Sequence, residues 1–200
     1  MAKIELPKEI GFEGLDIAEV IEKRRSQRDF AGKPISLLEL SRLLYYGYGI
    51  TDSREQLRAA PSAGALYPIE IYPVVNSVEG LDKGIYRYSP PEHSLTLIQK
   101  GDFRRDMVHH ALAQEMLGQA SAVLVLSAVF WRSEWKYRER ARRYIFMEAG
   151  HIAQNVYLVA TPLGLGVCAV GAFDDEGFNR MLSIDGVKES VIYLIVVGKL

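Results

Sequence analysis

Arg24, Arg25 and Arg28 fall within five residues and bracket Ser26 and Gln27. Guanidinium forks make bidentate, charge-assisted bonds to phosphate oxygens, and a serine hydroxyl adds a further donor, so the group suits a phosphate monoester. The spacing alone equally allows a solvated basic face. A nucleic-acid patch is a third reading, weakened by the absence of interleaved aromatic residues. A second candidate is Pro61-Ser62-Ala63-Gly64-Ala65-Leu66-Tyr67-Pro68, small side chains held between prolines. Such a segment lets a flat ligand approach the backbone closely, although by itself it also reads as an ordinary surface loop. A third is Gly164-Leu165-Gly166-Val167-Cys168-Ala169-Val170-Gly171. It fails as a dinucleotide fingerprint because Ala169 holds the third glycine position and no regular βαβ unit surrounds it. Its glycines suit a strand edge that passes close to a ring system with N–H groups facing it.

Two further pairs carry reactive groups. Lys136-Tyr137 places an amine beside a phenol, and burial that lowers the lysine pKa would let the pair move a proton. The competing reading is solvated helix surface. Glu148 and His151 have the Glu-x-x-His spacing of carboxylate-bridged metal sites, but those sites require a second copy that this chain lacks. His93, His109, His110 and His151 show no zinc spacing and Cys168 has no thiol partner, so no metal is expected. Glu148, His151, Gln154 and Asn155 are expected to form a satisfied polar network with nearby backbone groups.

The elements that must position these residues follow from pattern. Ile17, Val20 and Ile21 predict a helix from Asp16 to Lys23 that ends in the cationic turn. Ser36 and Glu39 form a capping box ahead of Leu37, Leu38, Leu40, Leu43 and Leu44. Residues 51–68 read as a long loop, with at most one short helix. Strands are expected at Ile69–Asn76, Ile85–Tyr88, Ser94–Ile98, Ser121–Trp131, Val167–Ala172 and Val191–Val197. Helices are expected at Arg104–Leu117, Glu134–Leu163 and Asp174–Leu182. The longest of them is apolar nearly all round and therefore belongs in the core or at a subunit interface. Unequal helices between strands, with one hairpin, imply an α+β fold whose mixed sheet is flanked by helices. Two hundred residues with 48% hydrophobic and 24% charged content fit one domain, 1–200. A formal net charge of −1 gives no global pull toward nucleic acid or anionic membrane. A lone cysteine and the absence of a secretory signal or membrane span point to the cytoplasm.

Taken in order, four segments resemble the nitroreductase family of FMN enzymes, and more closely its SagB-type dehydrogenase branch, which includes azoline oxidases. They are Arg24–Phe30, Pro61–Pro68, Glu148–Asn155 and Gly164–Phe173, and the likeness runs from Ile17 to Lys199. The resemblance implies an intertwined homodimer with FMN in clefts to which both subunits contribute. On that basis Arg24, Ser26 and Arg28 hold the FMN phosphate and ribityl chain, and Arg25 contributes mainly backbone. Pro61, Ser62, Ala63 and Gly64 reach the flavin of the other subunit, Val170, Gly171 and Ala172 lie along the ring, and Lys199 is the basic residue near the phosphate. Gly171 stands where many nitroreductases carry a glutamate. Lys136-Tyr137 looks like the azoline oxidases' proton-abstracting pair. The implied activity moves a hydride between a small-molecule or peptide substrate and flavin N5. Two alternatives stay open: a nitro or quinone reductase that draws electrons from NAD(P)H, and a non-catalytic flavin-binding protein with its ring face blocked by Tyr67 or Trp131.

Overall fold

The first two helices are set by their caps. In a computed structural model that describes residues 3–8, 11 and 16–200, the Asp16 carboxylate accepts the Ala18 N–H at 2.8 Å and starts α1 (Ile17–Lys23). Ser36 Oγ accepts the Glu39 N–H at 3.1 Å while the Glu39 carboxylate accepts the Ser36 N–H at 2.7 Å, so the capping box opens α2 (Leu37–Tyr48) as expected. The remaining elements are β1 (Lys3–Glu5), β2 (Ile50–Asp52), β3 (Leu57–Arg58), β4 (Ile69–Val75), β5 (Gly84–Ser89), β6 (Ser94–Lys100), α3 (Arg104–His110), α4 (Met116–Gln119), β7 (Ala122–Val129), α5 (Trp131–Tyr137), α6 (Ala141–Ala160), β8 (Leu165–Val170), α7 (Asp175–Leu182) and β9 (Glu189–Lys199). No helix of the described residues is long and apolar enough to cross a membrane.

Seven strands form one sheet in the order β1-β6-β5-β4-β7-β9-β8. Its ladders are antiparallel, and its mixed character comes from two parallel bridges, Ser26 with Val167 and Ile35 with Val78. Side chains alternate across each strand, and both faces are covered. Leu124 and Leu126 of β7 and Ile195 and Val197 of β9 pack under α2 and α6, with Leu40, Leu44, Ile145 and Ile152. Val123, Val125, Leu194 and Val196 point the other way, toward Met107, Leu117, Phe178 and Leu182 of the smaller helices. This double burial explains why β7 reads as a continuous apolar run.

Three expected elements differ. The helix expected over 104–117 is two short ones, because Leu112 and Ala113 turn left-handed (φ 56° and 62°) and α4 folds back until Gly118 lies against Val108. The helix expected from Glu134 to Leu163 breaks at Arg138 (φ 49°), and Trp131 opens α5 rather than ending β7. Nor is α6 apolar all round: Ile145, Ala149, Ile152 and Val156 are buried, while Arg142, Arg143, His151 and Gln154 are exposed. Residues 51–68 contain the β2–β3 hairpin and a 3-10 turn at Ala63–Ala65.

Gly166 and Gly198 face each other across β8 and β9, and the Phe30 ring lies over both. A Cβ at Gly198 would sit 2.9 Å from that ring, and one at Gly166 3.1 Å from it. The ring for which the Gly164–Gly171 segment makes room is thus, at Gly166, the chain's own Phe30. Gly198→Ala should lower unfolding stability by about 1–3 kcal/mol through overpacking. Urea denaturation midpoints at unchanged m-value check this.

Candidate functional site

The cationic segment after α1 lies along the outer edge of β8. Ser26 bridges Val167, and the Gln27 N–H donates to the Val167 carbonyl at 2.8 Å. Two residues further along the same edge, the Ala169 N–H donates to the Tyr157 hydroxyl at 2.8 Å, and that hydroxyl lies 3.0 Å from Ser26 Oγ. Tyr157 accepts from Ala169, and either hydroxyl can donate in its bond with Ser26; when Tyr157 donates, the Ser26 hydroxyl proton is left for another acceptor. The Arg24 guanidinium sits 5.2 Å from the Tyr157 ring centroid, a cation–π distance. Arg25 turns back and donates to the carbonyls of Glu22 (2.7 Å) and Arg24 (2.8 Å), so its side chain closes the end of α1. Arg28 is exposed and lies close enough to Cys168 to oppose the rise that burial imposes on the thiol pKa. No ion pair among the described residues involves Arg24 or Arg28.

Backbone groups of β8 alternate between β9 and this outer edge. Val167 and Ala169 face outward, and the next position of that parity is Gly171, one residue past the strand. Gly171 is exposed, and a Cβ there would meet only Tyr193, at 3.9 Å. Val170 is buried by its side chain, and the Ala172 carbonyl accepts from Gln114 Nε2 at 2.8 Å. Lys199 bonds the second oxygen of the Glu39 carboxylate that caps α2. Burial works against the charge of Glu39, but the bonds from Lys199 and Ser36 outweigh it and hold the carboxyl below its usual range. Any phosphate contact by Lys199 would therefore be shared with Glu39.

A second group assembles around Gly64. At φ +65°, a Cβ on Gly64 would lie 2.6 Å from the Tyr137 hydroxyl and 2.7 Å from Lys136 Nζ, so the Lys–Tyr pair closes on the one residue of the loop with no side chain. Lys136 is exposed, and Tyr137 is half-buried with its ring edge-on to Tyr144 at 4.9 Å. The two groups occupy different parts of the chain. Tyr144 and Tyr157 are thirteen positions apart on α6, which is ~20 Å along a helix axis.

Pro61–Pro68 is held from beneath by residues that motif reading did not single out. The Ser62 hydroxyl accepts the Tyr67 N–H at 3.0 Å and bonds the buried Glu148 carboxyl, to which Tyr48 also donates at 2.6 Å. The Arg58 guanidinium lies against the rings of Tyr48 and Tyr67, 4.3 and 4.5 Å from their centroids, with the ring planes 74° apart, and the Arg58 backbone N–H donates to the Tyr67 hydroxyl. The polar network expected of α6 is corrected accordingly: Glu148 alone turns inward, its partners are side chains, and His151 and Gln154 face outward. By helical period Glu148, His151 and Asn155 lie on one side of α6, yet Glu148 is buried, Asn155 half-buried and His151 exposed. A signal for Tyr157 was present, since a phenol on the apolar stripe of a helix needs a bonding partner for its hydroxyl.

Burial raises the Glu148 pKa, and its bonds to Ser62 and Tyr48 only partly oppose that. With the folded value above the unfolded one, the folded state binds the proton more tightly. The contribution of this group to stability is therefore complete below the ordinary carboxylate range and is lost as pH rises through the folded value. Thermal midpoints measured from pH 4 upward should fall with pH in the native chain and fall less in Glu148→Gln, which keeps an acceptor for Tyr48 but cannot ionise.

A model of the nitroreductase family matches residues 21–199. A Methanocaldococcus jannaschii protein that carries the nitroreductase name is 41% identical over 197 residues, 98% of this chain and 96% of the relative. The microcin B17-processing protein McbC of Escherichia coli is 28% identical over 169 residues, 81% of this chain but 61% of McbC. Among solved structures, one from Ralstonia eutropha described as a nitroreductase superposes with a TM-score of 0.87 at 27% identity and covers 98% of this chain and 89% of its own. With the match extending from within α1 to the end of β9, and with the fold shared throughout, this chain belongs to the nitroreductase family of oxidoreductases.

Proposed function

We propose that the chain is an FMN-dependent dehydrogenase of the SagB type, a single domain that works as a homodimer. The observation that carries the reading is the continuous edge from Arg24–Arg28 along β8 to Gly171, with cations and a hydroxyl at one end and exposed, side-chain-free backbone at the other. This donor set fits a phosphate monoester attached to a flat ring. Arg24 and Arg28 would neutralise the phosphate, Ser26 would donate its hydroxyl proton, and the Gly171 N–H would face the ring edge. FMN when bound supplies a hydride acceptor at N5. Cytoplasmic residence fits this redox role.

The chain's own contribution to chemistry comes from Lys136 and Tyr137. Lys136 is exposed in the single chain, so its role requires that substrate and the partner subunit cover it; the neutral amine would then take a proton from a small-molecule or peptide substrate, with the Tyr137 phenol holding the substrate heteroatom beside it. In the dimer this pair and the Pro61–Gly64 platform serve the flavin held by the other subunit. Ile17 and Ile21 on α1 and Phe146 and Met147 on α6 support the dimer, because their large apolar side chains remain more than half exposed in one chain. The kinship with a peptide-processing protein supports a dehydrogenase over a nicotinamide-driven reductase. Of the two side chains that could block a ring face, Tyr67 lies against Arg58 instead, which leaves Trp131 as the residue a non-catalytic reading would need.

Purified protein should take up one FMN per chain and sediment as a dimer. Arg24→Gln with Arg28→Gln should weaken FMN binding at least tenfold in a flavin-fluorescence titration, whereas a protein that takes up no flavin overturns the reading. Lys136→Ala should retain FMN and lose at least 100-fold in substrate-driven flavin reduction, as expected for a proton-transfer group. Rapid bleaching of the flavin by NADH or NADPH in stopped flow would instead identify the reductase.

A further inference from the structure

A cavity of 570 Å³ opens beside Leu66 and Tyr67, and none of Lys136, Arg24 and Gly171 lines it. Three guanidinium groups converge on its wall: Arg58, Arg87 and Arg132. Glu70 answers two of them, one oxygen accepting from Arg87 Nε at 3.1 Å and the other lying 2.7 Å from Arg132 Nη2. Arg132 also donates to the Tyr67 carbonyl at 3.1 Å, which fixes the fork against the loop. Arg58 has no carboxylate ion-pair partner among the described residues; its guanidinium lies 4.3 and 4.5 Å from the ring centroids of Tyr48 and Tyr67 and lines the cavity. Glu148, bonded to the far end of Tyr48, is near enough to Arg58 for their charges to attract but does not line the cavity. Glu92 at the rim is already paired with Lys3 at 3.0 Å. The wall therefore carries three cations against one inward carboxylate, in a recess where water is partly excluded and charge is felt more strongly.

We propose that this cavity is a binding site for a small aromatic carboxylate, separate from the flavin cleft. The guanidinium edge of Arg58 and the remaining donors of Arg87 and Arg132 match a planar carboxylate. Tyr48, Tyr67 and Tyr88 offer apolar ring surface to a flat body attached to it. Glu70, held inside the recess, selects for a single negative charge because it repels a dianion. The volume suits a ligand of this size. Because the ligand would bridge Arg58 and Arg132, the two residues that grip Tyr67, its arrival would also stiffen the loop that carries Pro61–Gly64.

The test is isothermal titration of the purified full-length protein with benzoate, and in a parallel arm with inorganic phosphate. Saturable benzoate binding is expected, weakened at least tenfold in Arg58→Gln and in Arg132→Gln. Binding should be unchanged in Arg105→Gln, whose guanidinium lines a different cleft beside His109. Phosphate should bind at least tenfold more weakly than benzoate. Circular dichroism checks each variant, and should Arg58→Gln misfold, the half-exposed Arg87→Gln takes its place beside Arg132→Gln. Absence of saturable binding, equal affinity in the native and arginine variants, or phosphate binding as tightly as benzoate would each overturn the assignment. Arg24→Gln with Arg28→Gln should leave benzoate affinity unchanged, so loss of the flavin reading and loss of this site are distinguishable.

Discussion

The outer edge of β8 is the constraint on which the rest of the site depends. An edge strand presents unpaired N–H and C=O groups, and here they are satisfied in two different ways before the edge is left open. The backbone of Gln27 takes the Val167 carbonyl, the Tyr157 hydroxyl takes the Ala169 N–H, and Gly171 beyond them is open. This succession fixes the arginine-bearing segment at one end of the edge and leaves exposed backbone at the other. Tyr157 ties the two, since the same oxygen touches Ser26. Phe30 seats the segment from below on Gly166 and Gly198, which is why two facing strand positions have no side chain.

The second half of the site depends on α6. One face of this helix builds the core, and at Glu148 that face turns polar to hold Tyr48 and, through Ser62, the small-residue loop. A buried carboxyl is destabilising unless it is bonded or neutral. Glu148 is bonded to two hydroxyls and shifted toward neutrality, so it fastens the loop without needing an ion pair. The break at Arg138 that separates α5 from α6 has a matching consequence, because it brings Lys136 and Tyr137 back onto Gly64. A continuous helix would have carried them away from the loop.

The small-residue loop thus makes two sets of contacts. Gly64 receives the Lys–Tyr pair, and Tyr67 joins the arginine-lined cavity. Arg132 and Lys136 lie one turn apart on α5, and one meets the loop at Tyr67 and the other at Gly64. Anything that moves Tyr67 is therefore coupled mechanically to the position of Gly64.

From the sequence alone, local rules determined the capping box at Ser36 and Glu39, the α1 helix ending in arginines, the apolar strands and the unsuitability of the glycine segment for a dinucleotide. These depend on neighbours within a turn or a strand, where spacing is decisive. The four segments in family order also carried the kinship. What only the tertiary structure decided depends on partners far apart in the chain: Tyr157 with Ser26, Tyr48 with Glu148, and Arg58 between two tyrosines. Spacing could not show that the stretches from 134 to 163 and from 104 to 117 are interrupted, because the positive-φ residues at the breaks, Arg138, Leu112 and Ala113, are not glycines and carry no local turn signal. The same reason hid the pairing of Lys136-Tyr137 with Gly64, since a contact made across a chain reversal leaves no periodic trace in either segment.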